Sequence, residues 1–262
     1  MRYTPPLIEV RLLRRYKRFL ADVYSATALE GAAEITHELC PEAHFAFTAH
    51  CANPGGMHGL VTPHARGWLF DSQNPKRKLR YSLELVETAE GAIVCVNTAR
   101  ANALIGEALN RGFFPELGDL HVKSEVRWGE GEHRSRFDFA FWDSKEDEST
   151  PPLGYLEVKS VTYALDPLNE PGLVAFPDAV TARGLKHLEA LIEVVRGGQR
   201  AVLCFCVNRS DAERVTVAER IDPAYAAGLR RAIKAGVELR AVKAIAGPTE
   251  HAVVERLPLE LG

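Results

Sequence analysis

Two alternating runs constrain this chain most: Arg136-Phe137-Asp138-Phe139-Ala140-Phe141-Trp142 and Tyr155-Leu156-Glu157-Val158-Lys159-Ser160-Val161. A period of two marks each as a half-buried strand. Residues two apart share a face, so Asp138 is expected opposite the Phe137, Phe139 and Phe141 stripe, and Glu157 beside Lys159. The polar stretch between them ends in Pro151-Pro152, a turn signal. A roughly symmetric hairpin then sets Asp138 almost opposite Glu157, with Cβ atoms about 5 Å apart. Two carboxylates that close repel unless a cation lies between them. Lys159 supplies one positive charge, and a divalent metal supplies more. The layout suits metal-dependent phosphodiester cleavage. An acid-x-lysine strand also serves as a plain ion pair, so the surrounding elements must decide.

Those elements have a definite order. Ala99 to Arg111 reads as a helix, with Leu104, Ile105, Ala108 and Leu109 on one side and Gly112 as its stop. Strands follow at His121 to Trp128, Arg136 to Trp142 and Gly154 to Val161. Thr181 to Val195 is a second helix, ended by Gly197-Gly198. Ala201 to Val207 is continuously apolar, as a strand buried on both faces must be. This αβββαβ order resembles the core of the PD-(D/E)xK nuclease superfamily. There the Asp belongs on the second strand and the Glu-x-Lys on the third. A last helix at Pro223 to Lys234, then Val237 to Ala246 and Ala252 to Leu257, is expected to extend the sheet.

The N-terminal part differs. Leu7 to Leu13, Phe19 to Ala26, His44 to His50, Gly67 to Phe70 and Leu83 to Thr88 are short strands between turn clusters such as Asn53-Pro54-Gly55-Gly56. They predict a small barrel, and a basic first strand suggests an oligonucleotide-binding (OB-like) one. The expected fold class is α+β: residues 1–90 as an OB-like barrel, then 91–262 as a PD-(D/E)xK nuclease-like α/β domain.

Net charge is −3 over 262 residues, which alone argues for no polyanionic partner. Residues 1–83 carry 11 Lys/Arg against 7 Asp/Glu, and the rest 21 against 28. One electropositive surface on an acidic protein is implied. The opening residues lack an apolar signal core, and no run reaches a membrane span of about 20 residues. Five cysteines without paired spacing suit a reducing cytoplasm.

Several blocks resemble the sugar fermentation stimulation protein A family. They are Leu13 to Val23, His50-Cys51-Ala52-Asn53-Pro54-Gly55-Gly56-Met57-His58-Gly59-Leu60, Arg77-Lys78-Leu79 with Glu84-Leu85-Val86, and Asn97 to Asn102. The most extensive is Phe176-Pro177-Asp178-Ala179-Val180-Thr181-Ala182-Arg183-Gly184-Leu185-Lys186-His187-Leu188. The resemblance runs to about Val237. The family's usual His-Cys-Pro-Asn-Thr-Gly-Ser-Met block is altered here after Cys51. The resemblance implies an OB-like barrel, a nuclease-like domain, non-specific DNA binding, and a role in regulating sugar (maltose) genes. A nuclease-like fold does not itself establish cleavage.

The expected site follows. Asp138, Glu157 and Lys159 are the catalytic candidates. Asp138 and Glu157 are metal ligands for Mg²⁺ or Mn²⁺, with the Val158 carbonyl as a third donor. Glu107 on the preceding helix is a further metal candidate, or else a solvated helix glutamate. Arg14, Arg15, Lys17 and Arg18, interleaved with Tyr16 and Phe19, suit nucleic-acid binding, and Lys76, Arg77 and Lys78 extend that track. Arg183, Lys186 and His187 share a helix face beside an N-terminus suited to phosphate. DNA is the first expected partner, then RNA. The segment holding His37, Cys40, His44, His50, Cys51, His58 and His64 has zinc-ligand residue types without zinc spacing, and the loop-or-core reading is preferred. Enzyme and non-catalytic DNA-binding regulator both stay open on sequence.

Overall fold

The computed structural model describes residues 1–37, 40–118, 120–130 and 134–261, and the side chains outside 34–44. A barrel comes first. Its strands are β1 (Ile8–Tyr16), β2 (Leu20–Ser25), β3 (Ala33–His37), β4 (Cys40–Cys51), β5 (Arg66–Asp71), β6 (Tyr81–Glu87) and β7 (Ile93–Cys95). They hydrogen-bond in the order β3-β4-β2-β1-β5-β6-β7. A parallel pairing of His50 with Ser82 and Cys51 with Leu83 joins β4 to β6 and closes five strands into a barrel. Closure joins the two ends of this five-strand set, with β3 and β7 added outside it. Val10, Leu12, Ala21, Val23, Ala49 and Leu69 turn inward from their strands and fill the interior, as the period-two pattern requires.

The second domain contains α1 (Arg100–Asn110), β8 (His121–Trp128), β9 (Ser135–Trp142), β10 (Gly154–Val161), β11 (Tyr163–Ala164), β12 (Leu173–Phe176), α2 (Ala182–Arg196), β13 (Arg200–Val207), β14 (Arg214–Val217), α3 (Pro223–Ala235), β15 (Glu238–Ala246), β16 (His251–Arg256) and β17 (Leu259–Glu260). The large sheet runs β16-β15-β13-β10-β9-β8. β13 lies between parallel β10 and β15. Its Leu203, Phe205 and Val207 pack toward α2 and α3, while Val202, Cys204 and Cys206 pack toward α1. Burial on both faces explains why this strand is apolar throughout.

Helix ends are set by side chains. Thr181 Oγ1 accepts from Gly184 N at 3.0 Å and caps α2. Asp222 caps α3 by accepting from Tyr225 N at 2.9 Å, and it also accepts from Thr181 N at 2.8 Å. One carboxylate therefore ties the starts of both helices. A small sheet, β11-β12-β14-β17, lies beside the large one, and β12 leads into Pro177 and Asp178.

The two domains are stitched together. Short β-bridges join Arg2 to Glu250 and Val94 to Arg209. β7 begins after residue 90; it pairs with β6, and Cys95 N also donates to Asn208 O at 2.9 Å. At the junction Glu84 is fully buried. It pairs with Arg100 and accepts from Asn97 Nδ2 at 2.8 Å and Tyr3 Oη at 3.2 Å. Burying this charge is tolerable because each carboxylate oxygen has a partner. Among the described residues, no helix is long and apolar enough to cross a membrane.

Candidate active site

The ladder between β9 and β10 runs from Phe141–Gly154 to Phe139–Leu156 and stops before Asp138 and Glu157. The reason is visible. Asp138 Oδ2 accepts from Val158 N at 2.7 Å, and Oδ1 accepts from Asn102 Nδ2 of α1 at 2.6 Å. The carboxylate takes a backbone donor that a regular ladder step would engage elsewhere. On its other side, the β8–β9 ladder omits the Glu125–Asp138 step, and Glu125 is left-handed at φ 57°. The strand turns over at this point. Phe137 packs with Ala140 and Trp142 toward α2 and α3, while Phe139 and Phe141 pack toward α1. The expected single stripe of Phe137, Phe139 and Phe141 is therefore corrected: Asp138 sits where the alternation breaks, not opposite a continuous apolar face.

Glu157 does share a face with Lys159. Lys159 Nζ donates to Glu157 Oε1 at 2.6 Å, and His187 Nδ1 of α2 also meets that oxygen. His187 Nδ1 lies 3.3 Å from Lys159 Nζ. Glu157 is 3% exposed, and its Oε2 is buried with no hydrogen-bond partner among the described residues.

The two carboxyls are driven apart in acidity. Burial, then the charge of Glu157, push Asp138 up to about 6, against the opposing pull of Val158 N–H, Lys159 and Asn102. Burial would raise Glu157 too, but its His187 hydrogen bond and the Lys159 charge outweigh that and hold it below the usual carboxylate range. Divergent acidities in one cleft mark a candidate site.

Asp138, Glu157 and Lys159 line one cavity of about 500 Å³. Asn102, Asp178, Thr181, Arg183 and His187 line it from the second domain, and Arg18, Asn53, Pro54 and Gly55 from the barrel. The barrel loop is clamped. Arg15 donates to Asn53 O at 2.8 Å and Gly55 O at 3.1 Å, and Arg18 donates to Pro54 O at 2.7 Å. Lys17 and Arg18 hold the left-handed backbone (φ 47° and 61°) that aims these groups, a conformation non-glycine residues rarely adopt. The loop then docks across the domains: Met57 N donates to Asp178 Oδ2 at 3.2 Å, and a Cβ on Gly55 would lie 2.2 Å from that oxygen.

The other expected residues fall as follows. Arg14 pairs with Asp22 at 2.8 Å. Arg77 donates to Ser82 Oγ at 3.1 Å and, with Lys78, lines a different concavity; Lys76 is exposed in the same loop. Arg183 and Lys186 are exposed on α2, whereas His187 is turned inward onto Glu157. Glu107 does not line the cavity: it pairs with the Met1 amine at 2.6 Å and with Arg111 at 3.5 Å. The α1 side chain that reaches the carboxylates is Asn102, five residues earlier, which places Glu107 on another side of the helix.

Asn102 and Asp178 lie in the family-like blocks, yet their pattern assigns them no place in the cavity, and nothing in it marks Arg15 and Arg18 as loop clamps. A polar residue beside the apolar Ala101, Leu104 and Ile105 was the available signal for Asn102. Of the His/Cys-rich segment, the side chains of His37, Cys40 and His44 lie outside those described. Cys51 Sγ meets Met57 Sδ at 3.5 Å in the barrel core.

The donor set fits a hard divalent cation. It offers an unpartnered buried carboxylate oxygen on Glu157 and a half-buried carboxylate on Asp138. Among the described residues no group of three His, Cys, Asp or Glu forms a metal cage. Such a site relies on two carboxylates plus backbone, water or phosphate oxygens, the pattern Mg²⁺ tolerates.

Comparison with known proteins places the chain. A model described as the sugar fermentation stimulation protein RE domain matches residues 99–250, and one described as the SfsA N-terminal OB domain matches 13–96. A sugar fermentation stimulation protein homolog of Ectopseudomonas mendocina is 45% identical over 258 residues, covering 98% of each chain. One from Teredinibacter turnerae is 44% identical over 262 residues, covering 100% of each. The solved structure of Pyrococcus furiosus SfsA in complex with Ca²⁺ superposes with a TM-score of 0.78 at 25% identity, over 99% of this chain and 98% of that one. The chain belongs to the sugar fermentation stimulation protein A family.

Proposed function

We propose that this protein binds nucleic acid and hydrolyses its phosphodiester bonds with a divalent cation, Mg²⁺ or Mn²⁺, held by Asp138 and Glu157. The observation that carries this reading is that Glu157, whose buried Oε2 has no hydrogen-bond partner among the described residues, lines one cavity with the acid-weakened Asp138 and with Lys159. The Ca²⁺ in the Pyrococcus furiosus relative supports a hard cation, since calcium also takes oxygen ligands. Asp138, Glu157 and the Val158 carbonyl are the assigned donors. A cation held by these residues would supply a lowered pKa for a water and would offset charge on the phosphoryl oxygens.

The chain's own groups have distinct tasks. Asn102 and Val158 N–H fix the Asp138 carboxylate, and His187 fixes Glu157. Lys159, which lines the same cavity, would stabilise the charge that develops on the phosphate. Arg183, which lines the same cavity and is exposed on α2, neutralises a neighbouring phosphate. DNA is the leading substrate, with RNA as the alternative.

The test compares wild type with Asp138→Asn and Glu157→Gln on single- and double-stranded DNA and RNA, with Mg²⁺ or Mn²⁺. Wild type should cleave at least one of these. Each variant should lose activity on the order of a thousandfold, because cation charge stabilisation is worth several kcal/mol, while retaining binding. Wild type that binds but cleaves nothing overturns the enzymatic reading and leaves a DNA-binding regulator. Equal cleavage by wild type and variants overturns the site assignment.

A further inference from the structure

Beside the carboxylates lies a second concavity, of about 510 Å³, which shares Arg183 and His187 with the first. Five cations line it: Arg127 at the end of β8, Arg134 and Arg136 at the start of β9, and Arg183 and Lys186 on α2. All five are exposed. Its remaining described walls are Ser135 and His187, so among the described residues no carboxylate lines it. Glu125 pairs with Arg136 at 2.9 Å from outside.

This grouping differs from the arginines elsewhere in the second domain that are held in ion pairs. Arg200, Arg209, Arg230, Arg240 and Arg256 each pair with a carboxylate. Among the described residues, Arg127, Arg134, Arg183 and Lys186 have no such partner. Four like charges left uncompensated around one groove repel one another, and an acidic protein with 35 Asp and Glu has carboxylates to spare for them. The basic barrel strand is the opposite case: Arg14 is paired, and Arg15 and Arg18 are spent on loop carbonyls.

We infer that this groove between the β8–β9 hairpin and α2 holds the phosphodiester backbone flanking the scissile phosphate, so that the substrate strand runs from the carboxylates past His187 and Arg183 toward Arg127 and Arg134. The inference rests on the function proposed above and adds the strand's path and the residues that hold it. Among the described residues no Phe, Tyr or Trp lines the groove, and its one imidazole, His187, is buried against Glu157. Contacts are to phosphate, which position a strand without reading its sequence. Single strands and duplexes share that chemistry.

The test is the triple variant Arg127→Gln, Arg134→Gln, Arg136→Gln. Glutamine keeps much of each stem, and the three sites are exposed, so the melting temperature should hold. Binding of labelled single-stranded and duplex oligonucleotides is titrated in EDTA over a range of NaCl concentrations. Loss of three phosphate contacts should reduce the magnitude of the log Kd against log salt slope by about 2 for a single strand or about 3 for a duplex. The form whose slope falls is the form held. Slopes unchanged for both, with wild-type binding intact, overturn the groove and leave the carboxylate site standing. Wild type that binds neither form overturns both readings.

Discussion

Asp138→Asn is expected to stabilise the metal-free protein at pH 8 and to give no such gain near pH 4. Burial and the Glu157 charge raise the Asp138 carboxyl from an ordinary 3.8 to about 6. At about 1.4 kcal/mol for each tenfold, that corresponds to about 3 kcal/mol. The sign follows from proton linkage. A carboxyl whose folded pKa is raised binds its proton more tightly in the native state. Its contribution to stability is fully present below about 3.8 and is lost as pH rises through 6. Asparagine has nearly the same shape and keeps an oxygen for Val158 N–H, but it has no charge to bury. Asp138 is half-buried, so screening makes about 3 kcal/mol an upper bound. For a chain of this size the bound corresponds to a rise of about 6–12 °C in melting temperature. Thermal melts in EDTA at pH 4.5, 6 and 8 measure it. Added Ca²⁺ or Mg²⁺ should raise the melt of wild type at pH 8 and leave the variant unmoved, since binding to the native state alone stabilises it. If the variant melts below wild type by the same margin at all three pH values, Asp138 is an ordinary hydrogen-bond acceptor and the reasoning fails.

Gly55→Ala puts a methyl 2.2 Å from Asp178 Oδ2. It should cost about 1–3 kcal/mol, as overpacking does, and adding Asp178→Gly should recover part of that in urea titrations; no recovery would mean the clash lies elsewhere. Asp222→Ala removes acceptors for both Tyr225 N and Thr181 N. It should cost about 2 kcal/mol or slightly more, the top of the range for a single cap, and a loss below about 0.5 kcal/mol in the same assay would refute the double-capping role.

Strands with a long, regular period were readable from the sequence. β8, β9 and β10 lie where alternation put them, and the meeting of Asp138 with Glu157 followed from hairpin symmetry. What the pattern hid is the turn-over at Asp138. Phe137, Phe139 and Phe141 alternate perfectly in sequence, yet the break falls between them because the Asp138 carboxylate competes for the Val158 N–H. Short strands such as β11, β12, β14 and β17 have two to four residues, too few for any period to show. The use of Arg15 was hidden for another reason: its partners are the carbonyls of Asn53 and Gly55, and nothing local distinguishes a guanidinium that holds a loop from one that waits for phosphate.

The contact of Gly55 with Asp178 has a consequence for how such chains change over generations. One wall of the cavity belongs to the barrel, and its fit depends on a residue more than a hundred positions away. Glu84 and Arg100, only 16 positions apart, also pair across the junction. A hybrid joining this barrel to a distant relative's second domain would combine surfaces that were never selected together. A side chain at position 55, or a missing cation opposite Glu84, would spoil the joint even if each half folded well. A working hybrid would therefore need matched substitutions on the two sides of the seam.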